Sequence, residues 1–380
     1  MRPVYIAGTG MTAVAEHWTR TALSLASDAA RQALSRSTIP HIDALYLANG
    51  SSAPLGLHQN FAPAVAHELG LTGIEAISFE SAGAAGGLAI RQAAMAVAAG
   101  LADAILVVGV EKVSDFLDEH REESLALTSD TDWESLHGVT LTTQWAMLMR
   151  KYMHDYAVGI SDFAPFPVNA HANAVANKQA LYRFAINADK LKDASMIADP
   201  LSLLDSSTIA DGAAAVLISA TPASDGPAVR LLGSGVASAP VALHDRDDLL
   251  DLTAVRQSSQ RALAAAGIDA NQVQAFDLYD PHGIAAVLAF EAMGYAAKGT
   301  GTQLGASNAI RPGGSVPLAL SGGCKARGDV FGALGVYQIA ELTAQLRQTA
   351  PTQVDNCQFA LAQSMAGIAT TVVTHILARD

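Results

Sequence analysis

The chain has only two cysteines in 380 residues, Cys324 and Cys357. Two thiols cannot make a disulfide framework, so a reducing, cytoplasmic setting is expected. Basic charge is also scarce: 23 Lys and Arg stand against 36 Asp and Glu, a net charge of −13. A nucleic-acid-binding face needs concentrated positive charge, so nucleic acid is not an expected partner, and an anionic ligand would need a local basic patch. No run of about 18 apolar residues is unbroken, which argues against a membrane span. The longest candidate, residues 86–110, is interrupted by Arg91, Gly100 and Asp103. The opening "MRPVYIAGTGMT" reads as a strand and a glycine turn. Its apolar run is too short for a signal-peptide core and it lacks a cleavage site.

What the chain does have is apolar bulk: 50% hydrophobic residues and only 16% charged. That is enough for a large core, in two similar units or one intertwined domain. Residues 3–8 read as a strand, about 20–35 as a helix, 42–50 as a strand, 60–71 as a helix closed by Gly70, and 75–81 as a strand. A helix over 86–100 and a strand over 103–114 follow, and this alternation predicts an α/β architecture. Helix 86–100 has almost no polar face, so it needs protein on both flanks. The acidic segment 115–137 reads as a solvated surface excursion. Several helices follow over 140–195, and residues 199–220 return to strand after the Asp211-Gly212 turn.

After the linker "TPASDGP" (221–227) a second α/β unit begins. Both halves contain a small-residue or glycine turn entering a long apolar helix, "ESAGAAGGLAI" and "LSGGCKARGDVFGALGVYQIA". This pattern predicts a structural duplication, although the sequences of the halves have diverged too far to show it. The expected division is 1–115 with 199–222 as one half, 116–198 as an insertion, and 223–380 as the other half.

Several segments, taken in order, resemble the thiolase superfamily over nearly the whole chain. "FESAGAAGGLAIRQAAMAVAAGLADAILVVGVEKVSD" is similar to the region around that family's nucleophilic cysteine. "NAHANAVANKQALYRF" and "DPLSLLDSSTIADGAAAVLI" resemble the segments after its loop domain. "DLYDPHGIAAVLAFEAMGY", "SGGCKARGDVFGALGVYQIAELTAQLRQ" and "FALAQSMAGIATTVV" resemble its later motifs, among them the "GGxKAxGHPxGATG" loop. The branch most resembled is that of the sterol-carrier-protein-type and archaeal-type thiolases. The resemblance implies two βαβαβαββ halves in a five-layer αβαβα sandwich, a homodimer or higher oligomer, and a coenzyme A thioester as substrate or ligand with no bound cofactor and no metal.

The motifs depart from that family at the chemistry. The nucleophilic cysteine aligns with Gly83, the histidine of the "GHP" motif with Asp329, and the Asn or His of the third motif with Tyr279, beside Asp280. The family's final cysteine has no counterpart, the nearest position being about Ser364. A glycine cannot carry an acyl group, so ordinary cysteine-dependent thiolysis is not the expected chemistry. Ser81 reads as a turn hydroxyl and Cys324 as a buried structural thiol, with a nucleophilic role the lesser reading for each. Tyr279, Asp280, His282 and Asp329 are the candidate catalytic groups, expected to converge on a pocket beside Gly83. Main-chain N–H groups of Gly83 and Ala84 are the candidate oxyanion donors. His171 could face a coenzyme A tunnel or make a structural hydrogen bond. Lys178, Arg183, Lys190 and Lys192 could hold a phosphate or form a solvated face.

Three functions stay open. The first is carbon–carbon bond chemistry on a CoA thioester without an acyl-cysteine, as in the thiolase-like aldolases of steroid side-chain degradation. Those use a second tyrosine near the position of Asp329. The second is a non-catalytic subunit partnering an active relative or an OB-fold/zinc-ribbon protein. The third is a lipid or acyl-CoA carrier.

Overall fold

The architecture is that of a computed structural model, which describes residues 2–223 and 226–380. Part of the linker read at 221–227 therefore lies outside the described residues. In chain order the first half runs β1 (Tyr5–Met11), α1 (Ala22–Ser35), β2 (Ala44–Ala48), α2 (Phe61–Glu68), β3 (Glu75–Phe79), α3 (Ala85–Ala99) and β4 (Ala104–Glu111). Four helices and two short strands follow: α4 (Asp118–Ala126), α5 (Leu141–Tyr156), α6 (Pro165–Ala174), α7 (Ala188–Lys192), β5 (Met196–Ala198) and β6 (Leu201–Ser202). Strand β7 (Gly212–Ser219) completes the half. The second half runs β8 (Val229–Ser238), α8 (Thr253–Ala266), β9 (Ala275–Asp277), α9 (Gly283–Met293), α10 (Thr302–Ala306), α11 (Leu334–Leu346), β10 (Phe359–Ala366) and β11 (Thr371–Arg379).

The strands lie in the order β3-β2-β4-β7-β1-β8-β11-β10-β9, and the strands of the two halves are joined through β1 and β8, in register at Tyr5–Arg230. Numbered within each half, the first half has the order 3-2-4-5-1 and the second 2-4-5-1. The missing third strand survives as a parallel bridge from Leu318 to Phe276 on β9. Helices α1 and α2 cover the outer face of the first sheet and α8 that of the second, while α3 and α11 lie between the sheets. This is the expected αβαβα sandwich.

The pattern of burial follows from the layering. On β7, Ala213, Ala215 and Leu217 face the core under α1 and α2, while Ala214, Val216 and Ile218 face the central layer. A strand covered on both faces is apolar at every position, which is why the sequence shows no alternation there. Helix α3 is likewise packed on both sides, against β2, β4 and β7 and against β10, β11 and α11.

The duplication leaves a physical signature that overall sequence similarity hides. The first strand of each half carries a Gly-x-Gly pair, Gly8 and Gly10 on β1, Gly233 and Gly235 on β8. A Cβ at any of the four would collide with a main-chain carbonyl of the helix above: Ala33 or Ala29 of α1, Ala262 or Ser258 of α8. Each central helix is also entered through a one-turn 3₁₀ segment, Ala82–Ala84 before α3 and Phe331–Ala333 before α11. In both, the first residue takes a left-handed conformation, with φ of 47° at Ala82 and 39° at Phe331.

Asp211, in the "ADGAAAV" stretch, ties the end of β4 to the start of β7. Its carboxylate accepts hydrogen bonds from the N–H groups of Val113 (2.7 Å), Ser114 (2.9 Å) and His17 (2.9 Å), and Lys112 Nζ lies 3.1 Å away. The segment 115–137 departs from expectation. It is not simply a solvated excursion: α4 buries Ser124 and Leu125 and walls a cavity described below. No helix among the described residues is long and apolar enough to cross a membrane.

Candidate active site

The turn before α3 is closed by its own main chain. The Ala84 N–H donates to the Ser81 carbonyl at 2.9 Å, and Glu80 accepts from the Ala82 N–H at 2.8 Å. A side chain on Gly83 would run into the Met365 carbonyl of β10, with the Phe331 ring 3.7 Å away. Phe331 in turn packs on Gly50, where a Cβ would come within 2.7 Å of its ring. Beyond the turn, α3 and α11 cross through glycine: a Cβ on Gly86 would lie 2.9 Å from the Gly332 carbonyl, and one on Gly335 would meet the Gly87 N–H. The segment is a close-packed crossing of the two central helices. Gly83 and Ala84 do not line the cavity that holds the other candidates, and the Ala84 N–H is already committed within its turn.

The cavity, about 300 Å³, opens where α4 and α5 face three segments of the two halves. Residues 207–209 form one wall. Tyr279, Pro281 and His282 come from the β9–α9 loop and Asp329 from the glycine loop. Asp329 is held firmly. Its N–H donates to the Thr208 carbonyl at 2.9 Å, its carbonyl accepts from the Ala210 N–H at 3.0 Å, and its Oδ1 accepts from the Phe331 N–H at 2.8 Å. Burial lifts the Asp329 carboxyl to about 6, even though the Phe331 N–H and Arg327 favour the charged form. At neutral pH it is therefore ionised mostly but not overwhelmingly, as suits a proton acceptor.

Tyr279 is buried. Burial, and then the nearby charge of Asp329, pushes its phenol well above the usual value, so it stays a donor. His282 stands at the N-cap of α9 with no partner on Nδ1. Burial, then the charge of Lys325, holds its pKa down at about 3, so the ring is neutral. A phenol, a neutral imidazole and a partly ionised carboxylate thus share one cavity.

Asp280 does not join them, contrary to expectation. It turns into the glycine loop, where its Oδ1 accepts the Cys324 N–H at 2.6 Å and Gly323, with φ of 56°, leaves room for the carboxylate. Burial, and then Asp277, pushes its carboxyl well up. Cys324 is buried and its thiol is lifted well above the ordinary range, which disfavours the nucleophilic thiolate. Ser364 is buried against Gly87. His171 lies away from the cavity, stacked on Tyr182, with Nδ1 3.0 Å from the Phe184 carbonyl and a pKa lowered to about 4 by burial. Lys178 and Arg183 are exposed and do not line it either.

Four contributors were missed in the sequence. Arg121, Glu122 and Asp118 of α4 reach the cavity from the segment read as surface. Lys325 lies buried behind it, donating to the Ser206 carbonyl at 2.6 Å above the Tyr182 ring, with its pKa lowered to about 8 by burial. Its place in "GGCKARGD" was the available signal. Among the described residues no group of His, Cys, Asp and Glu could hold a metal.

Comparison with known proteins places the chain in a family. The family model "Thiolase, N-terminal domain" matches residues 4–221 and "Thiolase C-terminal domain-like" matches 235–379. An acetyl-CoA acetyltransferase of Methanothermobacter thermautotrophicus is 33% identical over 386 residues, covering 100% of both chains. A steroid side-chain-cleaving aldolase of Thermomonospora curvata is 26% identical, over 92% of this chain and 93% of that one. Among solved structures, the "Ltp2-ChsH2(DUF35) aldolase" superposes with a TM-score of 0.85 at 24% identity, over 100% of this chain and 98% of that one. The chain belongs to the thiolase superfamily.

Proposed function

We propose that the protein makes or breaks a carbon–carbon bond beside a coenzyme A thioester by aldol chemistry, without an acyl-enzyme. One observation carries this reading: Tyr279, His282 and Asp329 line one cavity while main chain fills the space of the missing nucleophile. In the cleavage direction the Asp329 carboxylate takes the proton of a β-hydroxyl. The Cα–Cβ bond then breaks to give a carbonyl product and the enolate of the shortened thioester. Tyr279 donates to the developing oxyanion, and the enolate carbon is reprotonated from solvent or from Asp329. A phenol with a raised pKa suits this role because it donates without ionising. The aldolase relative lends support, and the acetyltransferase relative supports a CoA thioester as ligand.

A second reading, that of a subunit needing a partner, is favoured by the solved Ltp2-ChsH2(DUF35) aldolase, whose name joins two components. The edge strand β3, exposed along much of its length, is the proposed seat of a homodimer contact. The test is to incubate the purified chain with β-hydroxyacyl-CoA esters and follow the carbonyl product, the shortened acyl-CoA and the intact protein mass. Both products with no mass increment support the aldol reading. Stable acylation of the protein contradicts it, and the absence of both products from the chain alone favours the subunit.

A further inference from the structure

A cavity of about 670 Å³ opens between the later turns of α3, the segment leading into β1, and β8. It is separate from the reaction site, since Tyr279, His282 and Asp329 do not line it. Three arginines line it, Arg2, Arg91 and Arg230, and no acidic residue does. In a chain where 36 acidic residues outnumber 23 basic ones, this is a local concentration of positive charge. Val4, Met95, Leu231 and Leu232 supply apolar wall, and Met95, 50% exposed, borders solvent.

The three arginines are not equivalent. Arg2 is committed: it donates to the Val97 carbonyl at 2.9 Å and the Ala102 carbonyl at 2.6 Å, and pairs with Asp103 at 2.6 Å. Arg230 meets Asp380 loosely, at 3.4 Å. Arg91 meets no carboxylate among the described residues; its Nη1 donates to the Ser234 carbonyl at 2.8 Å. That bond leaves Nε and Nη2, the parallel pair of N–H groups that two carboxylate oxygens bridge. Arg91 is partly exposed and, unlike Arg230 Nε, these nitrogens are not sealed from solvent. From Arg91 the wall continues in one direction as apolar surface. Met95 lies one turn along α3, and Leu232 lies two residues before Ser234 on β8. The site thus offers one open guanidinium edge and an apolar track leading from it. A cationic ligand would meet three guanidiniums, and a neutral one would leave the Arg91 edge to water.

We infer that this cavity binds a medium-chain aliphatic carboxylate, with its two oxygens on Nε and Nη2 of Arg91 and its chain along Met95 and Leu232. Arg230 adds to the positive potential that attracts it. The inference is independent of the proposed reaction.

The test is calorimetric titration of the full chain with decanoate, below its micellar concentration, and with 1-decanol, which keeps the chain and loses the charge. Decanoate should bind saturably and roughly tenfold or more tightly than the alcohol, the order of one charged hydrogen-bonded contact. Arg91→Gln should bring decanoate to the affinity of decanol. Because Arg91 also holds the Ser234 carbonyl, a second variant keeps that bond. Met95→Glu sets a carboxylate on the exposed wall, and should weaken decanoate roughly tenfold with the fold intact by circular dichroism. Equal affinity for decanoate and decanol in the wild type, or a preference for decanoate that survives both substitutions, would overturn the assignment. So would displacement of decanoate by coenzyme A, which would put it in the reaction site, or by inorganic phosphate, which would make this a site for any anion.

Discussion

The Met365 carbonyl on β10 fills the space that a side chain on Gly83 would need. The absence of a cysteine is therefore part of the packing. The turn that presents a nucleophile in a thiolase here brings the two central helices together.

Restoring the sulfur should consequently fail. Gly83→Cys is expected to lower stability by about 1–3 kcal/mol through overpacking. Urea unfolding measures the loss. Intact mass after incubation with acetyl-CoA should show no acylated protein, whereas a covalent acyl group on the new cysteine would mean that the turn can open.

Glu111 gives the fold a pH dependence of known sign. It is fully buried and accepts from the N–H groups of Gly50 (2.5 Å) and Gly332 (3.1 Å), joining the β2 end to the second 3₁₀ turn. Burial outweighs these bonds and raises its pKa from 4.5 to about 7. An acid with a raised folded pKa keeps its proton longer in the fold than in the unfolded chain. Its contribution therefore favours the fold at low pH and is lost as pH rises through that window. Glu111→Gln should flatten the decline between about pH 4.5 and 7 in urea unfolding, and an unchanged slope would remove Glu111 as its source.

Arg121 tests whether α4 belongs to the site. Its guanidinium pairs with Asp118 at the cavity wall. Arg121→Ala should leave stability within about 0.5 kcal/mol, as is usual for a partly exposed pair. It should raise KM roughly tenfold, the order of one lost charged hydrogen bond. A KM equal to that of the wild type would return α4 to the role of a surface helix.

Tyr279→Phe isolates the hydroxyl, since the ring and its packing remain. Cleavage of a β-hydroxyacyl-CoA should fall by about 10² or more, the usual contribution of a positioned proton donor. Binding of the CoA thioester, measured by titration, should stay within a factor of about two. A parallel loss of binding would recast Tyr279 as a wall of the cavity.

Much of this arrangement was legible in the sequence. The apolar periodicities placed most elements of both sheets to within a few residues, because strands covered on two faces and a helix covered all round leave long apolar runs. The glycines of "AGG" and "FGALG" marked the entries to the central helices. Direction was harder to read. Tyr279 and Asp280 are adjacent, yet one faces the cavity and the other the glycine loop, a choice made by the Cys324 N–H more than forty residues later. Gly83 looked like an empty nucleophile position, and only the approach of β10 from the far end of the chain shows that it is filled. The acidic composition of 115–137 concealed Arg121 and Leu125, because a short helix needs only one inward face to wall a site.

The most direct test is the pH dependence of kcat/KM for β-hydroxyacyl-CoA cleavage by the wild type and by Asp329→Asn. With the Asp329 carboxyl lifted to about 6 by burial, the wild-type rate should fall as pH drops through that value, because protonation removes the acceptor. Asp329→Asn should lose about 10²–10⁴ in kcat/KM and no longer show that limb. A variant that keeps the wild-type rate and the same fall near pH 6 would contradict the assignment of Asp329 as the proton acceptor.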